Sequence, residues 1–246
     1  MNALSTQAAL RGMLYQMDRL DVVTDNLANH SMPGYKKTLT AQTSFDAMMR
    51  SAAESGSPFD GRSQAAERVT DHSAGPLRVT GNPLDFAIAG DGFFVVEQDG
   101  ESFYTRNGRF QLDPTGAIVT AGGFSVLGSD GPLRIPENAD LSQLTVDADG
   151  ALRSGEQVWG SVRLASFADP NVLRRVGPGL FAAPPDIEPE PPASGRATNR
   201  AVEGSNTTVF EEMAEMIAAT RAFEIGQRML KQLDQAQEAT IRQLSM

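Results

Sequence analysis

The chain has 246 residues, no cysteine, one tryptophan and a formal net charge of −10 at pH 7. It is long enough to bury a sizeable core, and its 40% hydrophobic and 21% charged shares are ordinary for a globular protein. The acidic balance argues against a general nucleic-acid binder, which needs a basic surface. The absence of cysteine excludes disulfides, thiol nucleophiles and cysteine-ligated metals. The longest apolar runs are too short to span a bilayer, so we expect no membrane insertion.

The first predicted element is a helix over residues 5–28, which contain no proline. Its apolar side chains recur at alternating steps of three and four, as in a helix that packs along one seam. The seam positions are Thr6, Leu10, Met13, Met17, Leu20, Thr24 and Leu27. Met32-Pro33-Gly34 should stop this helix, because proline disfavours helical geometry at the preceding residue. The extreme N-terminus lacks a basic region and an apolar core, so we expect no cleavable signal peptide.

The middle of the chain is predicted to be a mainly antiparallel β domain, because short apolar runs alternate with turn signals. Asp99-Gly100 and Asn107-Gly108 favour hairpin turns, since type I′ turns need positive φ. A further turn is expected at residues 113–116, and Gly90-Asp91-Gly92 is interpreted as a tight turn rather than a nucleotide loop. The predicted strands cover residues 93–97, 103–106, 110–112, 118–121, 124–127, 144–146, 152–153 and 158–167.

Two connectors flank this region. Residues 51–63 are rich in Ser, Ala and Gly and should be extended or mobile. Residues 184–194 combine five prolines with acidic side chains, which predicts a solvated, polyproline-like loop.

The last predicted element is a helix that begins after Thr208 and runs to about Leu244. Thr208 and Glu211 form a capping-box pattern at its start. Its seam steps by four and three through Val209, Met213, Met216, Thr220, Phe223, Gln227 and Leu230, and continues at Leu233 after a shift of phase. At 1.5 Å per residue the helix would be roughly 55 Å long, too long for a small domain to cover alone.

Catalytic and metal-binding signatures are weak or absent in this sequence. His30 and His72 are predicted to be surface residues, because neither has partners at ligand or triad spacing. Asp147, Asp149 and Glu156 match part of a calcium loop, but Thr145 stands where the first aspartate is needed, which favours a plain turn at Asp149-Gly150. We therefore expect no catalytic, cofactor-binding or metal-binding residues and no small-molecule substrate.

Four blocks of sequence resemble the flagellar rod and hook proteins, and they occur in that family's order. The blocks cover nearly the whole chain. They contain Asn26-Leu27-Ala28-Asn29 with Pro33-Gly34-Tyr35, residues 84–96, residues 104–110, and Glu203-Gly204-Ser205-Asn206 with Arg221-Ala222-Phe223-Glu224. The length and the closing Gln243-Leu244-Ser245-Met246 are most similar to proximal rod proteins, with distal rod proteins as the close alternative.

The resemblance implies an α+β protein whose N- and C-terminal helices pair as a coiled coil inside an outer β domain. The implied divisions are residues 1–35 (helix), 36–75 (extended or partly disordered connector), 76–200 (β domain) and 201–246 (helix). Whether the coil closes within one subunit or between subunits stays open. The expected subunit interface comprises Leu10, Met13, Met17, Leu20, Leu27, Val209, Met213, Met216, Ile217, Phe223, Leu230 and Leu233.

The resemblance also implies a structural role in the basal body. Such proteins stack head-to-tail around an export channel, transmit torque, and leave the cell uncleaved through the flagellar type III export apparatus to form a rod that crosses the periplasm. The expected partners are therefore copies of this chain, other rod proteins and that apparatus. Two hypotheses from other classes stay open: a secreted enzyme acting on the cell wall, which needs convergent carboxylates, and an adhesin-like module, which needs no matched helical seams.

Overall fold

The structure, a computed structural model, describes residues 2–41, 67–136, 139–147 and 150–244. The chain divides into two compact units. The first, here the helical unit, consists of Met1–Ala28, Thr38–Asp71 and Thr208–Met246; the second, here the β unit, consists of Asn29–Lys37 and His72–Thr207. The predicted connector at residues 51–63 lies outside the described residues.

Both long helices are confirmed. Helix α1 spans Asn2–Asn29 and helix α2 spans Val209–Leu244. The chain turns at the predicted stop, where the amide of Met32 donates to the carbonyl of Asn29 (3.0 Å) and Gly34 adopts a φ of 66°. Helix α2 begins directly after Thr208, and the acidic residues in its first turn face the positive end of the helix dipole. No helix in the described part of the chain is both long and apolar enough to cross a membrane.

The helical unit also contains a short two-stranded sheet. Strand β1 (Thr38–Ala41) pairs antiparallel with β2 (Glu67–Thr70), and Thr38 lies opposite Thr70. Strand β1 follows α1 after a short connection. The predicted connector at residues 36–75 therefore contains a β-strand at each of its described ends.

The β unit consists of short strands joined by tight turns. These strands are β3 (Leu77–Val79), β4 (Phe86–Ala89), β5 (Phe93–Gln98), β6 (Glu101–Thr105), β7 (Phe110–Leu112), β8 (Ile118–Thr120), β9 (Ser125–Gly128), β10 (Gly131–Pro132), β11 (Leu144–Val146), β12 (Ala151–Ser154), β13 (Gln157–Ser161), β14 (Leu164–Ala165), β15 (Arg174–Gly177), β16 (Leu180–Ala182), β17 (Arg196–Asn199) and β18 (Ala201–Glu203).

A nine-stranded sheet dominates the β unit. Its order is β15-β16-β6-β5-β9-β8-β7, with β10 also on β9 and β14 also on β5. A three-stranded sheet, β11-β12-β13, and the pairs β17-β4 and β18-β3 complete the unit. All these pairings are antiparallel, so the predicted α+β class with an antiparallel β region is confirmed.

Strand β5 lies at the centre of the core and is buried on both faces. Phe94 and Val96 belong to one hydrophobic cluster, whereas Phe93 and Val95 belong to a second. This alternation follows from the two-residue period of a strand. A run of four apolar residues without a polar face therefore marks a strand covered on both sides.

Two predicted turns are confirmed and one is wrong. Asp99 (φ 55°) and Gly100 (φ 83°) join β5 to β6, as expected for a type I′ hairpin. Residues 113–116 join β7 to β8. Asn107-Gly108 is not a hairpin turn, because β6 pairs with β5 and β16 and does not pair with β7. Glycine is needed at 108 for another reason: a Cβ there would lie 1.7 Å from the carbonyl oxygen of Phe86.

The long strand predicted at residues 158–167 is divided in two. Its first part belongs to β13 in the three-stranded sheet, and its second part, β14, pairs with β5 in the nine-stranded sheet. Gly160, with a φ of 146°, and an irregular register between β12 and β13 bend the chain before it changes sheets.

The acidic, proline-rich loop at residues 184–194 is more firmly held than predicted. Ser166 and Glu190 exchange two backbone hydrogen bonds of 2.7 and 3.0 Å, and Ile187 packs against the second hydrophobic cluster. Much of the loop is exposed, as expected, but these contacts fix its course along the β unit.

Candidate functional site

In the β unit, the segment that follows α1 lies beside the segment that precedes α2. The amide of Gly34 donates to the carbonyl of Glu203 (2.7 Å), and the amide of Lys37 donates to Oδ1 of Asn206 (2.7 Å). The amide of Asn206 donates to the carbonyl of Tyr35 (3.4 Å). The segment that follows α1 and the segment that precedes α2 are thus joined by hydrogen bonds.

A buried charged cluster forms the centre of this junction. Nζ of Lys36 donates to Oε1 of Glu203 at 2.6 Å, and Nη1 of Arg106 donates to Oε2 at 3.0 Å. Lys36 and Glu203 are each 1% exposed and Arg106 is 6% exposed. Charges buried this deeply are tolerated only when they are paired and hydrogen-bonded. We call these three residues the ion cluster.

Backbone groups supply further hydrogen bonds to the ion cluster. The amide of Gly75 donates to Oε1 of Glu203 (2.8 Å), while Nζ of Lys36 also donates to the carbonyl of Ser73 (2.6 Å). Nη2 of Arg106 donates to the carbonyl of Gly90 (2.9 Å). Four stretches that are far apart in sequence therefore meet at one carboxylate.

Gly34 is required at the junction for both space and backbone conformation. A Cβ at this position would lie 2.2 Å from the carbonyl carbon of Arg106, far inside contact distance. Its φ of 66° is also one that side chains rarely adopt. The Pro33-Gly34-Tyr35 motif thus brings its own backbone against residue 106.

Arg175 and His72 extend the junction, and sequence reasoning missed both. The Arg175 guanidinium lies 5.0 Å from the Tyr35 ring centre and 5.1 Å from that of Phe181, and it donates to the carbonyl of Lys36. His72 lies 5.3 Å from Phe181 and 5.7 Å from Phe93 between ring centres. The surface prediction for His72 is therefore wrong, because its ring packs on core aromatics, whereas His30 is exposed as predicted.

Asn26 has a comparable role in the helical unit. Its side chain donates to the carbonyl of Thr38 and accepts from the amide of Thr38, both at 2.9 Å, so it pairs with β1 as a backbone would. It also donates to Oε2 of Glu212 in α2 (3.2 Å). Asn26 and Glu212 are each 1% exposed. One motif residue therefore ties together α1, β1 and α2.

Three contacts show how α1 lies against α2. Asn26 contacts Glu212, Arg19 forms an ion pair with Glu215, and a Cβ on Gly226 would lie 2.7 Å from Cγ of Met13. The partner number rises along α2 as it falls along α1, so the helices run antiparallel where they touch.

The predicted interface residues divide by exposure. Leu10, Met17, Met213 and Ile217 are each at least half exposed. A second group is partly buried: Met13, Leu20, Leu27, Val209, Met216, Phe223 and Leu230. The side chain of Leu233 lies outside the described residues. Among the described side chains of α1, the fully buried apolar residues are Val22 and Val23, which the heptad pattern did not include.

The motif residues also divide into two groups. Pro33, Gly34 and Tyr35 are buried at the junction, where the amide of Asn206 donates to the carbonyl of Tyr35. Oγ of Ser205 accepts from the amide of Thr207 (3.1 Å). Leu27 and Asn29 are partly buried near the end of α1, where Ala28 is exposed. Arg221 and Glu224 lie exposed on α2. Lys36, Arg106 and Glu203 stand within or beside the recognised blocks, which was the available signal; Arg175 had none.

Two cavities of the β unit hold one carboxylate between them. A cavity of about 400 Å³ beside the proline-rich loop contains one carboxylate, that of Glu190. A smaller one of about 140 Å³ is lined by Arg78, Arg109 and His30 among others, with no carboxylate. The described residues contain no group of three or more potential metal ligands. The partial calcium loop forms a hairpin turn in which the amide of Gly150 donates to the carbonyl of Asp147; Asp149 lies outside the described residues.

The resolved pKa shifts have local structural causes. A hydrogen bond from the Thr115 hydroxyl lowers the pKa of Asp113, and one from Ser142 lowers that of Asp140. Burial raises the pKa of Tyr104. A hydrogen bond to Asp18 raises the pKa of Arg68.

Comparison with known proteins gives matches both in the β unit and in the C-terminal region that contains α2. A family model described as the flagellar hook protein FlgE/F/G D1 domain matches residues 87–154, and one described as the flagellar basal body rod FlgEFG protein C-terminal region matches residues 198–243. The chain is 34% identical to the flagellar basal-body rod protein FlgF of Salmonella typhimurium, over 92% of each protein. The chain belongs to the flagellar basal-body rod protein family.

Other relatives of the same family match over similar lengths. FlgF of Escherichia coli is 32% identical over 87% of each protein, and FlgG of Bacillus subtilis is 28% identical over 94% of this chain and 95% of that protein. These relatives are named flagellar basal-body rod proteins, and membership of that family indicates a structural role in the basal body. The matched C-terminal region includes Glu203 and Asn206 of the junction together with nearly all of α2.

Proposed function

We propose that this chain is a structural subunit of the proximal part of the flagellar rod. The observation that carries the proposal is similarity to rod proteins over more than nine-tenths of the chain, together with the match of the rod C-terminal family model to residues 198–243. The FlgF relatives are 30–34% identical and the FlgG relatives 28–31%, which favours the proximal assignment over the distal one.

We propose further that the terminal helices pair as a coiled coil and form the inner layer of the rod. The antiparallel contacts from Asn26 to Glu212 and from Met13 to Gly226 support the pairing. Several large apolar side chains of the expected interface stay exposed in a single chain, which is typical of surfaces that bind other subunits. On this account residues 1–35 and 201–246 form the inner domain and residues 76–200 the outer one.

The rod assignment implies a specific set of partners. The chain would contact copies of itself and other rod proteins, line the export channel and transmit torque across the periplasm. It would leave the cell through the flagellar type III export apparatus without cleavage of a signal peptide. A cell-wall enzyme has no comparable support, since each of the two cavities described above has at most one carboxylate.

Imaging of labelled basal bodies tests the assignment. A short epitope inserted at Asp186, an exposed loop position, would be located by antibody labelling of basal bodies purified from cells that carry only this version of the chain. We expect label on the rod segment nearest the cell membrane. Label at the distal end would overturn the proximal assignment, and basal bodies without the chain would overturn the rod function. An epitope at Gly100, on another exposed turn, is the matched control for insertion effects.

A further inference from the structure

Helix α2 carries apolar side chains on two opposite faces. One row is exposed and comprises Phe210, Met213, Ile217, Ile225 and Met229, with exposures of 50–88%. Residues two positions apart on an α-helix point to nearly opposite sides. Glu212 and Ala219, two positions after Phe210 and Ile217, are 1% and 0% exposed. The face that packs within the chain is therefore separate from the exposed row, which we call the outer face of α2.

Helix α1 has the same division. Leu10, Leu14 and Met17 form an exposed row, each with half or more of its surface accessible. Asn26 lies about two and a half turns after Met17, on the opposite side, and is buried against β1 and α2. We call the exposed row the outer face of α1. Among the described residues of a single chain, the inner face of each helix is thus buried and both outer faces are exposed.

The two outer faces carry complementary charges. Asp21, four residues after Met17, continues the outer face of α1, and Arg221, four residues after Ile217, lies within the outer face of α2. Both side chains are exposed. Opposite charges set among apolar residues fix register and orientation when two helices associate.

We propose that the outer face of α1 in one copy binds the outer face of α2 in the next copy, with Asp21 beside Arg221. This inference rests on the proposed rod function and deepens it. Helices α1 and α2 run antiparallel where they touch within a chain, so subunits that all point the same way also present α1 antiparallel to a neighbour's α2. That direction brings Met17 against Ile225 and Leu14 against Met229 of the next copy.

The proposal explains why the same chain can build an open array. The contact joins two different surfaces, so only the copy at each end of the assembly retains an unused outer face. A heterologous contact of this kind generates a helical filament when its rotation does not close. The apolar residues supply the burial and the charged pair selects the register.

Disulfide trapping tests the proposal directly, because the natural chain has no cysteine. Cells lacking the natural gene would produce two tagged versions, one with Asp21→Cys and the other with Arg221→Cys. We expect mild oxidation of purified basal bodies to give a species carrying both tags. A mixture of Asp21→Cys with Gln227→Cys is the control, because Gln227 is exposed but lies off the outer face.

The outcomes separate this inference from the rod function. If both tagged versions are present in basal bodies but no doubly tagged species forms, or if the Gln227 control gives as much, the proposed contact is wrong while the rod function stands. A disulfide to a different rod protein in place of a second copy would also overturn it. If neither the natural chain nor its variants occur in basal bodies, the rod function itself fails.

A charge exchange supplies a second readout. Asp21→Arg and Arg221→Asp should each reduce swimming in soft agar at least tenfold, and the chain that carries both should recover most of it. Singles that swim normally, or a double variant no better than either single, would contradict the pairing. Arg174→Asp, an exposed change in the β unit, controls for altered surface charge.

Discussion

At the scale of single residues, Glu203 has the most demanding position in the β unit. Its carboxylate accepts from Lys36, Arg106 and the amide of Gly75, while its own carbonyl accepts from Gly34. Loss of one partner from such a cluster leaves the other charges buried without compensation. The carboxylate therefore holds together the segments that lead into the two helices.

Glu203→Gln should destabilise the β unit strongly. The variant keeps the shape of the side chain but leaves Lys36 and Arg106 without a counter-charge, and such changes typically cost about 3–5 kcal/mol. Urea denaturation followed by the fluorescence of Trp159, the single tryptophan, measures the change. Glu188→Gln in the exposed loop is the control. A loss of less than about 1 kcal/mol would show that the cluster contributes little net stability.

Tyr104→Phe should change stability only in alkaline solution. Burial raises the pKa of Tyr104 in the folded chain, so the folded state holds the phenolic proton more tightly than the unfolded state does. This contribution is complete below about pH 10 and is lost as the pH rises through the folded value. The natural chain should therefore lose melting temperature relative to the variant above about pH 10. Parallel melting curves from neutral to strongly alkaline pH would contradict this.

Sequence patterns located several of these residues but not their contacts. Lys36, Arg106 and Glu203 stand in or beside the recognised blocks, yet charge and spacing alone do not show that segments from three regions of the chain bring them to one point. His72 was misassigned for the same reason. Its sequence neighbours are polar, whereas the aromatics that cover its ring come from β5 and β16.

At the scale of elements, the sequence correctly predicted the features that depend on neighbouring residues, such as helix ends and tight turns. Proline, glycine and capping residues placed both helices correctly, and Asp99-Gly100 placed a hairpin. Asn107-Gly108 gave the same signal, but the glycine there permits close approach of Phe86 instead of closing a hairpin. The division of each helix into inner and outer faces could not be read from one heptad seam, because both faces are apolar.

Gly226→Ala and Gly12→Ala should have different effects on helix stability. Alanine in a helix interior is favoured over glycine by about 1 kcal/mol. Gly12 has open space for a Cβ, whereas one at Gly226 would overlap Cγ of Met13. We therefore expect Gly12→Ala to raise the urea midpoint of helix loss, measured by circular dichroism at 222 nm, and Gly226→Ala to leave it unchanged or lower it. Equal gains from both variants would show that Met13 does not pack on Gly226.

At the scale of the whole molecule, Leu20→Asp should prevent assembly without unfolding the β unit. Leu20 lies on the predicted seam of α1 and is partly buried. A charge there removes roughly 1.5–3 kcal/mol of burial in every copy. We expect non-motile cells and a β unit with unchanged Trp159 fluorescence. Val158→Asp, an exposed apolar site on β13, should swim normally. Normal rods in the Leu20 variant would contradict the role of the seam.

The account as a whole depends on terminal helices that become fully stable only when other subunits cover them. Long amphipathic helices are marginal in water and gain most of their stability from packing. Amide hydrogen exchange on a verified monomer and on assembled basal bodies compares the two states. We predict rapid exchange in residues 2–29 and 209–244 of the monomer, strong protection of the same residues in the rod, and a β unit protected in both. Strong protection of both helices in the monomer would contradict the account.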